Sequence, residues 1–243
     1  MLEDKPKLKV LDLFSGIRLG GFSLGLERTG GFETVAFCEI EEFPRRVLAK
    51  HWPEVPCYHD VTKLTGDILE RDGIAVDVIT GGFPCQDLSV AGRGAGVDGE
   101  RSGLWAEIVR LVRELQPKFV IMENSPSLCT RGGSAIIAAL AHERYDAEWE
   151  GFPGLSFGAK HIRARQYVVA YPGEKRHGAP THKVFARGDS PVDGGWWSRE
   201  PGVGRVADGV SSRVDRVAAL GNAVIPEIPE FIGNAILASE AAS

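Results

Sequence analysis

Lys7-Leu8-Lys9-Val10-Leu11-Asp12-Leu13-Phe14-Ser15-Gly16 is the stretch that decides the fold. Its apolar run predicts a buried β-strand, which Ser15-Gly16 closes. Gly20 to Arg28 then has the pattern of a helix, and Thr34 to Cys38 form a second short apolar run. A strand, a glycine turn, a helix and another strand are typical of the first unit of a nucleotide-binding α/β domain.

The rest of the chain repeats this alternation. Further strands are predicted over Val76 to Thr80, Lys118 to Met122 and Gln166 to Tyr171, and helices over Leu104 to Leu115, Ala135 to Leu140 and Pro226 to Leu237. Strands that alternate with helices predict an α/β fold with a mostly parallel sheet. From Pro172 to Ser212 the chain is rich in glycine, proline and charge. We therefore expect a first domain at 1–171, a small irregular region at 172–213 and a return to the first domain at 214–243; the motifs below imply catalysis and cofactor binding for the first and target recognition for the second.

Composition excludes several classes of protein. With 243 residues, 43% hydrophobic and 25% charged, the chain can bury a sizeable core. The longest purely apolar stretch, Ala135 to Ala141, is far too short for a membrane span, and the charged start does not resemble a signal peptide. The four cysteines have no CxxC spacing, so we expect no metal site, no disulfides and a reducing compartment.

The charge is unevenly distributed. The net charge of −5 argues against a general polyanion binder. The stretch between Gly158 and Gly188, however, contains seven Lys or Arg residues and only one acid, Glu174. Such a strip is either a solvated loop surface or a surface that holds phosphates.

The first candidate site is a cofactor pocket around Gly16. Glycines at a strand-to-helix turn allow a ligand to approach the backbone. Glu39 ends the second apolar run, 23 residues after Gly16, where nucleotide-binding folds place a carboxylate for ribose hydroxyls. The turn lacks the GxGxxG pattern, which favours S-adenosylmethionine over a nicotinamide cofactor. Asp60 either contacts an adenine amino group or serves as a helix cap or turn residue.

The second candidate site gathers polar groups at strand ends. Cys85 follows the strand that ends near Gly81, and Glu123 ends the next strand, so in a parallel sheet both would lie at the carboxyl edge. Arg163 and Arg165 alternate before the last predicted strand, which places them on one face of an extended segment. Cys85 alone would be read as a small buried residue; the neighbouring acid and arginines favour a nucleophile.

These motifs resemble, in order, those of the cytosine-C5 DNA methyltransferases. The matching motifs are Phe14-Ser15-Gly16, Pro84-Cys85-Gln86, Glu123-Asn124, Arg163-x-Arg165 and Gly221-Asn222-Ala223-Val224-x-Pro226. The resemblance implies a Rossmann-like, S-adenosylmethionine-dependent fold. It also implies that the Cys85 thiolate adds to carbon 6 of a flipped cytosine, with Glu123 at ring nitrogen 3 and Arg165, assisted by Arg163, at the exocyclic oxygen.

The resemblance also implies binding residues. Those expected to line the cofactor pocket are Phe14, Gly16, Ile17, Glu39, Ile40, Asp60, Gly82, Pro84, Leu104, Asn222 and Val224. For the apolar members, core packing is an equally good explanation. Those expected to contact DNA are Gln86, Ser89, Arg93, Arg101, Lys175 and Arg176, with the loop from Gln86 to Gly103 closing over the flipped base.

The chain departs from the family pattern in two places. Arg18-Leu19 stand as an insertion in the first glycine turn, which bears on the cofactor contacts there. The region between the arginines and the Gly-Asn motif spans only about Pro172 to Arg213, far less than a usual target-recognition domain. This length predicts a short DNA target of two to four base pairs, or relaxed specificity.

Three other functions fit part of the pattern. A tRNA cytosine methyltransferase would share the chemistry, a non-catalytic DNA-binding relative would lack Cys85 or Glu123, and an NAD-dependent oxidoreductase would leave the Pro-Cys-Gln motif without a role. We expect a monomeric enzyme that binds S-adenosylmethionine and double-stranded DNA, uses no metal or membrane, and is cytoplasmic, bacterial or phage-encoded.

Overall fold

The protein is described by a computed structural model that covers residues 6–16, 21–83, 103–130, 132–159, 164–173, 184–185 and 224–241. Seven strands form one sheet in these ranges, and six α-helices pack on it. The strands are β1 (Leu8–Leu13), β2 (Phe32–Cys38), β3 (Cys57–Tyr58), β4 (Val78–Gly81), β5 (Phe119–Asn124), β6 (Tyr145–Phe152) and β7 (Arg165–Pro172). The helices are α1 (Gly21–Arg28), α2 (Glu42–His51), α3 (Gly66–Arg71), α4 (Leu104–Leu115), α5 (Gly133–His142) and α6 (Glu227–Ala241).

The sheet has the order β3-β2-β1-β4-β5-β7-β6. The pairings among β3, β2, β1, β4 and β5 are parallel, whereas β7 is antiparallel to both β5 and β6. The prediction of a mostly parallel sheet in an α/β fold is therefore confirmed. Because β7 runs against β5, its first residue lies at the edge where the parallel strands end.

Two apolar layers enclose the sheet. Side chains from α4 and α5, including Ile108, Leu111 and Ile136, pack on one face. Side chains from α1 and α6, including Leu26 and Ile232, pack on the other. Each layer is almost completely shielded from water, so the sheet is fixed from both sides and its strand ends form a rigid edge.

Helix α6 packs against α1, so the end of the described chain lies beside its beginning. A Cβ atom on Gly25 of α1 would lie 2.1 Å from the carbonyl oxygen of Pro226, and one on Gly21 would lie 2.8 Å from Cβ of Val224. Only glycine permits this close approach. Val224, which directly precedes Ile225 and α6, is thereby held against the N-terminal end of α1.

Four elements differ from the sequence predictions. Strands β3 and β6 and helices α2 and α3 were not predicted. Strand β6 is an edge strand in which the acids Asp146, Glu148 and Glu150 alternate with apolar side chains; acids are uncommon in strands, but charged residues are frequent at sheet edges. Helix α2 contains Pro44, but the proline sits in its first turn, where the missing amide hydrogen costs nothing.

Candidate active site

The turn after β1 is built around the Glu39 carboxylate. The backbone N–H of Gly16 donates to Oε2 of Glu39 at 2.6 Å, and the N–H of Glu41 donates to Oε1 at 2.8 Å. Glu39 is 6% exposed. Each carboxylate oxygen can accept a further hydrogen bond, so Glu39 is held in one orientation and keeps acceptor capacity for ligand hydroxyls.

The backbone of this turn takes an unusual conformation. Phe14 has φ +53° and Gly16 has φ +56°, and a non-glycine residue in the left-handed region is uncommon. The N–H of Phe14 donates to the carbonyl of Cys38 at 2.8 Å, which ties the ends of β1 and β2 together. Strain of this kind is typical of ligand-binding turns.

Asp12, in β1 just before the turn, connects the turn to neighbouring elements. The sequence predictions gave it no role. Its carboxylate is 1% exposed and accepts hydrogen bonds from Ser23 at 3.0 Å and Thr80 at 2.7 Å. It therefore links β1, α1 and β4. A charged residue inside an apolar strand pattern was the available signal, since Asp is rarely buried without partners.

Ile40 and Asp60 lie on either side of the β2 and β3 ends. Ile40 is 59% exposed although it follows the buried Glu39, so core packing does not explain it. Asp60 forms a turn: Thr62 donates to its Oδ1 from the backbone at 3.0 Å and from the hydroxyl at 2.7 Å, and these bonds hold the pKa of the Asp60 carboxyl below its usual range. Through Oδ1, Asp60 therefore takes the turn role that the sequence left open, while its Oδ2 lies 3.6 Å from Nζ of Lys63.

The other apolar cofactor candidates in the described ranges pack in the core. Phe14 and Leu104 contact the α4–α5 layer, and Val224, 5% exposed, belongs to the α1–α6 layer. Gly82 is buried directly after β4. For Phe14, Leu104 and Val224, burial is explained by packing without a ligand.

Glu123 and Arg165 meet at the carboxyl edge. Glu123, near the end of β5 and 3% exposed, accepts from Nε of Arg165 at 2.9 Å. The side chain of Arg165 is 25% exposed, so the pair opens toward solvent on the arginine side. The antiparallel course of β7 produces this contact, which brings together two residues that were predicted to be catalytic.

Asn124 connects this pair to the end of β4. Its Nδ2 donates to the carbonyl of Phe83 at 2.9 Å, and its Oδ1 accepts from the N–H of Ser125 at 2.8 Å. Phe83 is two residues before Cys85 in the sequence. The asparagine thus fixes the backbone from which the Pro84-Cys85 segment departs; the sequence predictions quoted Asn124 as part of a motif without a role.

Several predicted residues lie outside the described ranges. They are Ile17, Pro84, Cys85, Gln86, Ser89, Arg93, Arg101, Arg163, Lys175, Arg176 and Asn222. Of the cysteines within those ranges, Cys38 and Cys57 are no candidates for a nucleophile, because burial raises the pKa of Cys38 to about 12 and that of Cys57 to about 11.

The sequence model of the C-5 cytosine-specific DNA methylases matches residues 8–187 of the chain. The chain belongs to this family. The family's chemistry depends on S-adenosylmethionine, and the chain carries the family's Pro-Cys-Gln, Glu-Asn and paired arginine motifs in order.

Curated relatives agree with the assignment. The Type II methyltransferase M.CviJI of Paramecium bursaria Chlorella virus IL3A is 35% identical over 164 residues, which are 67% of this chain and 42% of the relative. The Type II methyltransferase M2.BsuMI of Bacillus subtilis (strain 168) is 33% identical over 194 residues, 76% of this chain and 46% of the relative. The alignments thus span less than half the length of these two relatives.

Solved structures share the fold. A prophage-encoded E. coli protein described as a DNA modification methyltransferase has a TM-score of 0.57 and 32% identity, with 68% of this chain and 47% of that chain covered. Spodoptera frugiperda DNMT2 has a TM-score of 0.57 and 21% identity, with 70% and 51% covered. The second likeness supports the Rossmann-like architecture alone.

Two features are absent from the part of the chain that the structure describes. In the ranges described above, no group of three His, Cys, Asp or Glu side chains is arranged to hold a metal ion. Over the same ranges, no helix has both the length and the apolar character needed to cross a bilayer.

Proposed function

We propose that this chain is a DNA (cytosine-5-)-methyltransferase that transfers a methyl group from S-adenosylmethionine to a flipped cytosine in double-stranded DNA. The observation that carries the proposal is the pair formed by buried Glu123 and partly exposed Arg165, which Asn124 joins to the strand end leading into Pro84-Cys85. Family membership supports the same chemistry.

The residues around Gly16 fit the cofactor. Glu39 offers fixed carboxylate oxygens to ribose hydroxyls, and the exposed Ile40 offers an apolar surface to the adenine ring beside it. Asp60 stands at the end of β3 with a carboxylate suited to an adenine amino group. Bound S-adenosylmethionine supplies an electrophilic methyl group on a sulfonium. Contacts from Ile17, Pro84 and Asn222 are part of the proposal.

Cys85 is the proposed nucleophile. Its thiolate would form a bond to cytosine carbon 6, which moves ring electrons to carbon 5 and makes that carbon nucleophilic. Carbon 5 would then take the methyl group as the methyl–sulfur bond of the sulfonium breaks and leaves a neutral thioether. A base then removes the carbon-5 proton, the carbon–sulfur bond to Cys85 breaks, and the ring recovers its aromaticity. The base must leave the helix for this addition to occur, because carbon 6 is inaccessible in a stacked duplex.

Glu123 and the arginines are the proposed partners of the ring. Glu123 contacts nitrogen 3 and the exocyclic amine, where it stabilises or supplies a proton as charge builds in the ring. Arg165, with Arg163, holds the exocyclic oxygen. The 2.9 Å contact between Glu123 and Arg165 orients both groups before substrate arrives, which reduces the reorganisation needed in the transition state.

DNA contacts are proposed for the segments beyond β4 and β7. Gln86 and Ser89 would reach the flipped nucleotide, and Arg93 and Arg101 the flanking phosphates. Lys175 and Arg176 would add phosphate contacts. The short segment 172–213 offers few side chains for base edges, which supports a target of two to four base pairs. The division into 1–171, 172–213 and 214–243 belongs to the same proposal.

Methyl transfer from tritiated S-adenosylmethionine tests the function. Equal masses of unmethylated duplex DNA and tRNA are incubated with the protein, and the modified DNA is read by bisulfite sequencing. We expect label in DNA, at carbon 5 of cytosines within a short motif. If label is found only in tRNA, the substrate is tRNA and not DNA. If the methylated cytosines share a long, strict consensus sequence, the predicted short target is wrong.

A further inference from the structure

One carboxylate on the edge strand β6 gathers three donors. Oε1 of Glu148 accepts from the hydroxyl of Tyr171 at 2.6 Å and from the N–H of Val184 at 2.9 Å, and Oε2 accepts from the N–H of Phe185 at 3.1 Å. Tyr171 belongs to β7, whereas Val184 and Phe185 follow it only after residues 174–183. Glu148 therefore joins two separate parts of the chain.

The side chains of the same dipeptide pack into the apolar layer under α6, Val184 buried and Phe185 partly buried. Val184 is 4% exposed. The ring of Phe185 packs edge-on against Phe152 at a centroid distance of 5.7 Å, and Phe152 in turn contacts Tyr167 and Phe231. The dipeptide is thus held by its backbone at Glu148 and by its side chains in the core.

The anchor lies part-way along strands β6 and β7. The chain leaves β7 at Pro172, at the end of the sheet opposite Glu123, where the N–H of Gly173 donates to the carbonyl of Arg144. Glu148, which binds the backbone of the dipeptide, is the register partner of Val169 in the middle of β7. The ring of Phe185 reaches Phe152, the register partner of Arg165. The dipeptide is therefore fixed part-way along β7, with its aromatic ring toward the end of the sheet where Glu123 and Arg165 lie.

We propose that Glu148 is a positioning residue for DNA capture: by fixing Val184 and Phe185, it attaches the proposed recognition region 172–213 to the sheet. This inference rests on the proposed function. It assigns Glu148 to DNA capture and not to methyl transfer, because both carboxylate oxygens accept hydrogen bonds from Tyr171, Val184 and Phe185.

Steady-state kinetics of Glu148→Ala with duplex DNA tests the proposal. The matched control is Glu150→Ala, an exposed acid on the same strand that contacts only the N–H of its neighbour Gly151 in the described structure. We expect the KM for DNA to rise about ten-fold in Glu148→Ala, as loss of hydrogen bonds to a charged acceptor implies, with kcat within about two-fold of wild type. Glu150→Ala should match wild type in both.

Two further readouts separate anchoring from a general loss of structure. Trypsin should cleave Glu148→Ala faster after Lys183 or Arg187, whereas the affinity for S-adenosylmethionine should not change. Glu148→Gln keeps one acceptor oxygen and should lie between wild type and Glu148→Ala. If Glu148→Ala does not fold, Tyr171→Phe, which removes one donor, carries the test with a smaller rise in KM.

The outcomes are distinguishable. An unchanged KM and cleavage pattern in folded Glu148→Ala, or a fall in kcat alone, would overturn the anchoring role while leaving the function intact. A wild-type protein that methylates no DNA would instead overturn the proposed function.

Discussion

Replacing Glu39 by alanine should weaken the binding of S-adenosylmethionine by about ten- to a hundred-fold. The estimate follows from the loss of one hydrogen bond to a charged acceptor, about 1.5–3 kcal/mol. The substitution also releases the N–H groups of Gly16 and Glu41, which Glu39 holds at 2.6 and 2.8 Å. The glycine turn would then lose its fixed conformation, which adds to the penalty.

Isothermal titration calorimetry measures this effect directly. The control is Glu42→Ala, whose side chain is 75% exposed and pairs only with Arg46 on the helix surface in the described structure; its affinity should match wild type. Glu39→Gln retains one acceptor but turns an amide toward an N–H, so it should fall between the two. A folded Glu39→Ala that binds the cofactor within two-fold of wild type would refute the reasoning.

Two other predictions concern the carboxyl edge of the sheet and the thiols of Cys38 and Cys57. In Asn124→Ala, the buried carbonyl of Phe83 loses its side-chain donor, which costs about 1–3 kcal/mol; single-turnover methylation should slow by about ten-fold or more, and an unchanged rate would count against this role. At pH 8, Cys57 should alkylate about a hundred-fold more slowly than an ordinary exposed thiol, because its pKa is raised to about 11. Its rate should rise with pH until about pH 11, and Cys38, with a pKa of about 12, should be slower still. Peptide mass spectrometry after a pulse of iodoacetamide would follow both thiols, and rapid labelling of Cys57 at pH 8 would contradict the assignment.

Local signals predicted much of the fold. Leu104 to Leu115 was predicted with the observed bounds, because its apolar period is strong and Gly103 and Pro117 flank it. The buried strands of the parallel core were located to within a few residues, since each is a short apolar run. In contrast, β6 was missed although its apolar residues alternate with Asp146, Glu148 and Glu150, because acids have a low β-propensity and nothing local indicates that the segment pairs at an edge.

The geometry of the site depended on long-range facts. The contact between Glu123 and Arg165 arises because β7 runs antiparallel to β5, and strand direction leaves no mark on residue period. The left-handed conformation of Phe14 and the exposure of Ile40 likewise depend on how β1 and β2 end side by side. Sequence motifs identified the candidate residues, but the topology of the sheet determines which of them are in contact.

The most direct test of the central claim is trapping of the covalent adduct. Wild type and Cys85→Ala are incubated with S-adenosylmethionine and a duplex that contains 5-fluorocytosine in the methylated motif, and are then run on a denaturing gel. The fluorine cannot leave as a proton does, so the thiol should stay bonded to carbon 6. We predict a shifted protein–DNA band for wild type and none for Cys85→Ala; a band that persists in Cys85→Ala would contradict the assignment of the nucleophile.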